Sequence, residues 1–268
     1  MLKKIFALIK KDFLNEASYK FAFIFNIFSV MVSLLIYYFI DKLFGYKMNW
    51  HLEEYGINYF SYVLLGMAFF SYIGTGVGSF SARIHYEQIQ GTLESLLITP
   101  TPVYIILLSM GLWNLIFATL NVLVYIGTGV FLFKINFSHI NILSATVVLI
   151  LTIISFSSLG ILSASFVIVF KRGNPLGWII NNLEGLLGGV YFPVGVMPAF
   201  LQFAAKFLPI TYAIRAMQLA VYKGYTLAKL KNECLLLFFF SIILLPLSLS
   251  SFKFALKKGR EQGSLAKL

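Results

Sequence analysis

The chain has 268 residues, 59% of them hydrophobic and 12% charged, with a mean hydropathy of +0.87. That charged share is about half the usual value for soluble domains, which excludes an ordinary soluble enzyme and leaves no room for a large soluble domain. The net charge of +11 sits mostly at the ends of apolar runs, where anionic headgroups attract cations; membrane lipids are therefore expected partners, and nucleic acid is not.

Residues 1–20 open with an amphipathic pattern. Leu2, Ile5, Phe6, Ile9 and Phe13 share one helical face, and Lys3, Lys4, Lys10 and Lys11 share the other. Such a helix lies in the membrane interface. The apolar run from Ile5 to Ile9 is too short for a signal-peptide core.

Six stretches then approach or exceed the roughly 20 apolar residues that a bilayer crossing needs: 21–40, 59–82, 103–133, 140–170, 176–194 and 234–254. The expected fold is an all-α integral membrane protein with six transmembrane helices, forming one transmembrane domain over 1–268. Between the fifth and sixth spans, 197–222 holds two short helical stretches that begin near Pro198 and Pro209. Neither is long enough to cross, so they are expected as external re-entrant helices. Six spans place both termini on one side. Lys3, Lys4, Lys10, Lys11, Arg83, Lys171 and Arg172 make that side the cytoplasmic one by the positive-inside rule. The spacings in Gly74 to Gly78 and Gly185 to Gly189 permit close helix approach.

A polar interruption, RIHYEQIQGTLESLLITPTP at 83–102, separates the second and third spans. Arg83, Glu87 and Glu94 keep it out of hydrocarbon, where unpaired charge costs about 3 kcal/mol or more. Gly91 and Thr92 suit a turn and a helix cap. Leu93, Leu96 and Leu97 follow at i, i+3, i+4 spacing and share a face, Glu94 stays on the wet side, and Pro100 stops the helix. A short amphipathic helix displayed between two spans is suited to receive force from a soluble partner.

Absent motifs narrow the chemistry. There is no G-x-x-x-x-G-K-[ST] loop, no H-E-x-x-H and no G-x-S-x-G. His51, His85 and His139 fall in separate segments, and Cys234 is the single cysteine. No catalytic residue, metal site or directly bound cofactor is expected.

The run E-x-x-x-G-T-L-E-x-L-L-x-T-P, Glu87 to Pro100, resembles the signature loop of type-2 ATP-binding-cassette (ABC) exporter permeases. A second patch, Gly189 to Pro193 with Met197-Pro198 and Leu208 to Arg215, is similar to that family's fifth span and the external helices after it. The resemblance spans nearly the whole chain. It implies a permease subunit that moves an amphiphilic or lipid-like substrate, drug or glycan outward, paired with itself or a similar permease. It further implies a separate ABC ATPase that binds ATP and Mg and docks on a cytoplasmic coupling helix. Glu87, Gly91, Thr92, Leu93, Glu94, Leu96, Leu97 and Pro100 are the residues it marks for coupling. The implied location is a bacterial or archaeal cytoplasmic membrane.

Glu184 falls in the fifth span beside Asn181 and Asn182. An ionisable group at that depth must face protein or water. One reading makes Asn181, Glu184 and Tyr191 part of the translocation path, and the other gives Glu184 an interhelical hydrogen bond. The same residue is the main support for an alternative function, a gradient-driven secondary transporter or channel without an ATPase.

Overall fold

The structure is a computed structural model that describes residues 20–93, 103–170 and 174–261. The interfacial helix expected over 1–20 lies almost wholly outside the described residues. Among those residues there is no strand; the elements are α1 (Lys20–Met48), α2 (Tyr59–Ile89), α3 (Val103–Phe131), α4 (Ile142–Phe170), α5 (Pro175–Leu187), α6 (Ala199–Ala205), α7 (Pro209–Tyr222) and α8 (Lys231–Glu261). Short 3-10 turns occupy Asn49–Leu52 and Val194–Val196. Five helices (α1, α2, α3, α4 and α8) are long and apolar enough to cross a membrane. The chain is an integral membrane protein.

Several helices outrun their apolar cores. Asn58 caps α2 by accepting a hydrogen bond from the Ser61 amide, and the helix then continues unbroken to Ile89. The expected end at 82 marks only where hydropathy falls. Arg83 and Glu87, one turn apart with Nε 3.2 Å from Oε1, let the helix run on past the apolar stretch. At 1.5 Å per residue its 31 residues reach about 46 Å, well beyond a hydrocarbon core of about 30 Å. In the same way α1 runs on through Asp41 to Met48, and α8 carries Lys253, Lys257 and Lys258 as helix to Glu261.

The centre of the bundle is α4, which packs against α8, α2 and α7. Its buried positions are largely small: Ser144, Thr152, Ser155, Ser158, Gly160, Ser163, Ala164 and Ser165. Small residues let backbones approach and leave hydroxyls to bond across helices. The Ser155 and Ser241 hydroxyls meet at 2.9 Å between α4 and α8. Gly160 packs so tightly on α2 that a Cβ there would sit 2.1 Å from the Gly76 carbonyl oxygen. By contrast α1 touches the bundle mainly through Val30 and Leu34 against Phe60 and Leu64, leaving Phe28, Leu35 and Phe39 uncovered.

The fifth helix departs most from expectation. A span was expected over 176–194, but α5 is 13 residues long, about 20 Å, and does not cross alone. It lies antiparallel along α2. Asn174 meets Ser81, Asn181 stands beside Gly74, the Phe70 ring packs on Gly185, and Val190 lies against Gly66. The Tyr62 hydroxyl then donates to the Gly189 carbonyl at 2.6 Å. Those contacts draw the chain out of helix after Gly188, and Gly189 takes a positive φ of 81°, which glycine tolerates without strain. The two short helices expected within 197–222 are α6 and α7, each begun after or at a proline.

Replacing Gly160 by Ala should lower the melting temperature in detergent by several degrees, because the obstructing atom is backbone and cannot rotate away. Gly78→Ala on α2, where a Cβ meets nothing within 4 Å, should melt like the parent. Equal melting of the two variants would show that the α2–α4 approach is looser than described.

Candidate functional site

The expected coupling segment begins at the end of α2. The Gly91 amide donates to the Gln88 carbonyl and the Thr92 amide to the Glu87 carbonyl, each at 3.0 Å, while Gly91 holds a φ of 67°. This paired pattern around a left-handed residue is a Schellman cap. In such caps an apolar contact commonly joins the residues that here are Glu87 and Thr92. Here the Thr92 hydroxyl donates to the Glu87 carboxylate instead.

Glu87 is 4% exposed yet remains satisfied, with Arg83 on one oxygen and Thr92 on the other. One carboxylate thus ties the last helical turn of α2 to the turn beyond it. Removing a buried partner of this kind costs about 1–3 kcal/mol.

Leu93 was expected on a partner-facing stripe with Leu96 and Leu97. Its side chain is instead 1% exposed, packed into a cluster with Phe80 and Ile84 of α2, Ile106 of α3, Ile168 of α4 and Phe252 of α8. Helical periodicity identified an apolar face without revealing that the chain's own bundle covers part of it. Glu87, Gly91, Thr92 and Leu93 therefore form one anchored unit. Glu94, Leu96, Leu97 and Pro100 lie outside the described residues.

Of the residues assigned to a path, two lie on α5 and one follows it. Asn181 and Glu184 lie on the α5 surface that follows α2, with Asn181 half-buried and Glu184 1% exposed. The Glu184 Oε2 atom has no hydrogen-bond partner among the described residues. Tyr191 lies beyond the end of α5, its ring stacked on Tyr37 of α1 at 5.6 Å.

Two polar junctions join segments that are distant in the chain. Asn174 caps α5 through the Gly177 amide at 2.9 Å. It also accepts from Ser163 of α4 and donates to Ser81 of α2, so one side chain joins three helices. At the opposite end of the bundle, Arg215 of α7 reaches Glu54 at 2.7 Å and Glu233 at 3.7 Å. Tyr55, beside this cluster, has its hydroxyl pKa pushed up to about 12, by burial first and by the neighbouring Glu54 second.

A family model described as ABC-2 type transporter matches residues 3–222, which takes in α1 to α7. The chain belongs to the ABC-2 type transporter family. It is accordingly an ABC permease component, the membrane-spanning part of a transporter, and membership implies an ABC ATPase partner in general. No curated protein matches the sequence. Within this ABC-2 permease, α8 lies beyond the matched segment and still supplies Phe252, Ala255 and Leu256 to the packing around Leu93.

Glu87→Ala should speed amide exchange at Gly91 to Leu93 by tenfold or more, the equivalent of about 1.4 kcal/mol of lost local protection, while leaving the centre of α4 protected. Unchanged exchange at the turn would show that the carboxylate does not hold it.

Proposed function

We propose that this ABC-2 permease is the membrane subunit of an ATP-driven exporter, coupled to a separate ATPase through segment 83–102. The observation that carries this reading is the continuity of α2 with the Gly91 turn through Glu87 and Leu93. A load applied to the segment beyond Leu93 passes directly into α2 and into the cluster of α3, α4 and α8. ATP and Mg are held by the partner, and the permease transmits its motion. A coupling element needs two arrangements biased by a distant ligand, and a rigid helix reaching from one membrane face past the other is a suitable lever.

The register of α5 on α2 supports a six-passage architecture. From Ser81 to Gly66 is 15 residues of helix (81 minus 66), roughly 22 Å, and the Tyr62 hydroxyl one turn further on reaches Gly189, so the register covers most of the hydrocarbon thickness. Residues 174–190 follow α2 over that distance, and the short helix with the bend after it at Gly188 and Gly189 completes the fifth crossing in this reading. Both termini then lie in the cytoplasm, and α6 and α7 lie outside.

The uncovered surface of α5, with Trp178, Ile179, Leu183 and Leu186 exposed, supports pairing with an identical or similar permease about a shared path. Glu184 on its other surface is the observation that favours the competing reading, a gradient-driven carrier. Transport by the purified chain without ATP would support that reading.

Leu96→Asp combined with Leu97→Asp should leave the protein inserted and monodisperse. Affinity purification from native membranes should recover a Walker-motif ATPase with the parent and lose it with this variant. Undiminished recovery of that ATPase would contradict the coupling role.

A further inference from the structure

Two cavities adjoin at the Tyr59 end of α2, one helix length from the Gly91 turn. The larger, of 430 Å³, is lined by His51, Glu54, Lys206, Tyr212, Arg215 and the Gly188–Gly189 backbone, among others. The smaller, of 250 Å³, is mainly apolar, with Leu52, Tyr59, Phe192 and Val196 in its wall. His51 and Pro193 belong to both walls, so the two cavities are immediate neighbours.

The walls are held in place by the protein's own bonds. Gly189 is fixed by Tyr62. Tyr212 donates to the Lys206 carbonyl at 2.9 Å, Thr211 to the Ala205 carbonyl at 2.8 Å, and Gln202 to the Met197 carbonyl at 2.8 Å. Small-molecule sites are usually preformed and occupy about 300–1,000 Å³. The larger cavity falls in that range. The smaller falls below it and suits an appendage rather than a whole ligand.

Charge selects the headgroup. Glu54 and Arg215 are paired, with Glu233 3.7 Å from the same guanidinium, yet the Glu54 and Arg215 side chains are 49% and 50% exposed. A guanidinium has five donors and a carboxylate about four acceptor sites, so the pair leaves capacity on both members. Lys206, exposed at the rim, adds a second cation. A purely anionic head would meet Glu54, and a purely cationic one would meet Arg215 and Lys206. A head carrying both signs satisfies all three.

We propose that the adjoining cavities bind a single-chain zwitterionic amphiphile of the lysophosphatidylethanolamine class. Its phosphate lies between Arg215 and Lys206, its ammonium faces Glu54, and part of its chain fills the pocket of Leu52, Tyr59, Phe192 and Val196. As the identity of the cargo, this rests on the permease reading. As a binding site it does not, and its test uses neither ATP nor an ATPase.

The experiment titrates the full chain in maltoside micelles with decanoyl lysophosphatidylethanolamine and reads bound ligand by native mass spectrometry. One saturable equivalent per chain is expected. Arg215→Gln and Lys206→Gln should each weaken binding by about tenfold. Lys206→Gln alters an exposed side chain and carries the test alone if Arg215→Gln fails to fold. Val196→Asp should abolish the preference for the decanoyl over the hexanoyl ligand. Parent-like binding by both headgroup variants would overturn the site. Equally strong competition by free glycerophosphoethanolamine would overturn the role of the chain pocket. Equal binding of decanoyl lysophosphatidylglycerol would overturn the zwitterion assignment. Any of these failures leaves the ATPase-coupling reading standing, since coupling is read at the other end of α2.

Discussion

A buried carboxylate at the end of a long helix is the constraint on which the rest of this structure depends. Glu87 holds Arg83 within α2 and the Thr92 hydroxyl beyond it, so the chain cannot fray at Gly91 without exposing a charge and breaking a Schellman cap. Leu93 then enters the packed cluster of α2, α3, α4 and α8. Without the Glu87 bonds, residues 83–93 would be only loosely tied to the helices around them. With them those residues are an extension of the bundle that ends in the packing of Leu93.

That packing continues along α2, because α2 is the helix that α1, α3, α4, α5 and α7 all touch. Along one side it carries the α5 segment in antiparallel register from Ser81 to Gly66. Asn174 links α2 to α4 and α5 at one end of that register. At the other end, Tyr62 fixes the Gly189 bend and Gln218 of α7 donates to the Tyr62 carbonyl at 2.8 Å. A tilt of α2 would therefore act on both ends of the α5 segment and on α7 together. In this arrangement the adjoining cavities beside Arg215 stand where motion begun at the Gly91 turn would be delivered.

The spans of α1 to α4 and α8 were legible because an apolar run of bilayer length has few alternatives, and α6 and α7 because Pro198 and Pro209 punctuate them. Their ends were less legible. Hydropathy reports where a helix leaves lipid, whereas the Arg83–Glu87 pair and the next available break decide where it stops. The end of α5 had a local signal that the apolar count overrode: Gly188-Gly189 is a helix stop, and what no local pattern shows is that the Tyr62 hydroxyl and the surface at Gly66 meet the backbone there. The inward turn of Leu93 depends on α8, more than 130 residues away. The pairing of Arg215 with Glu54 spans 161 residues, beyond any short-range pattern.

The central claim is that the Gly91 turn faces the cytoplasm and meets an ATPase there, and sided chemical labelling tests it most directly. Gln90, exposed beside the turn, is changed to cysteine in a Cys234→Ala background and treated with a membrane-impermeant maleimide. The account predicts no reaction in intact cells, rapid reaction in inverted membrane vesicles stripped of peripheral proteins, and protection in vesicles that retain the ATPase. Reaction at Gln90→Cys from outside intact cells would contradict it.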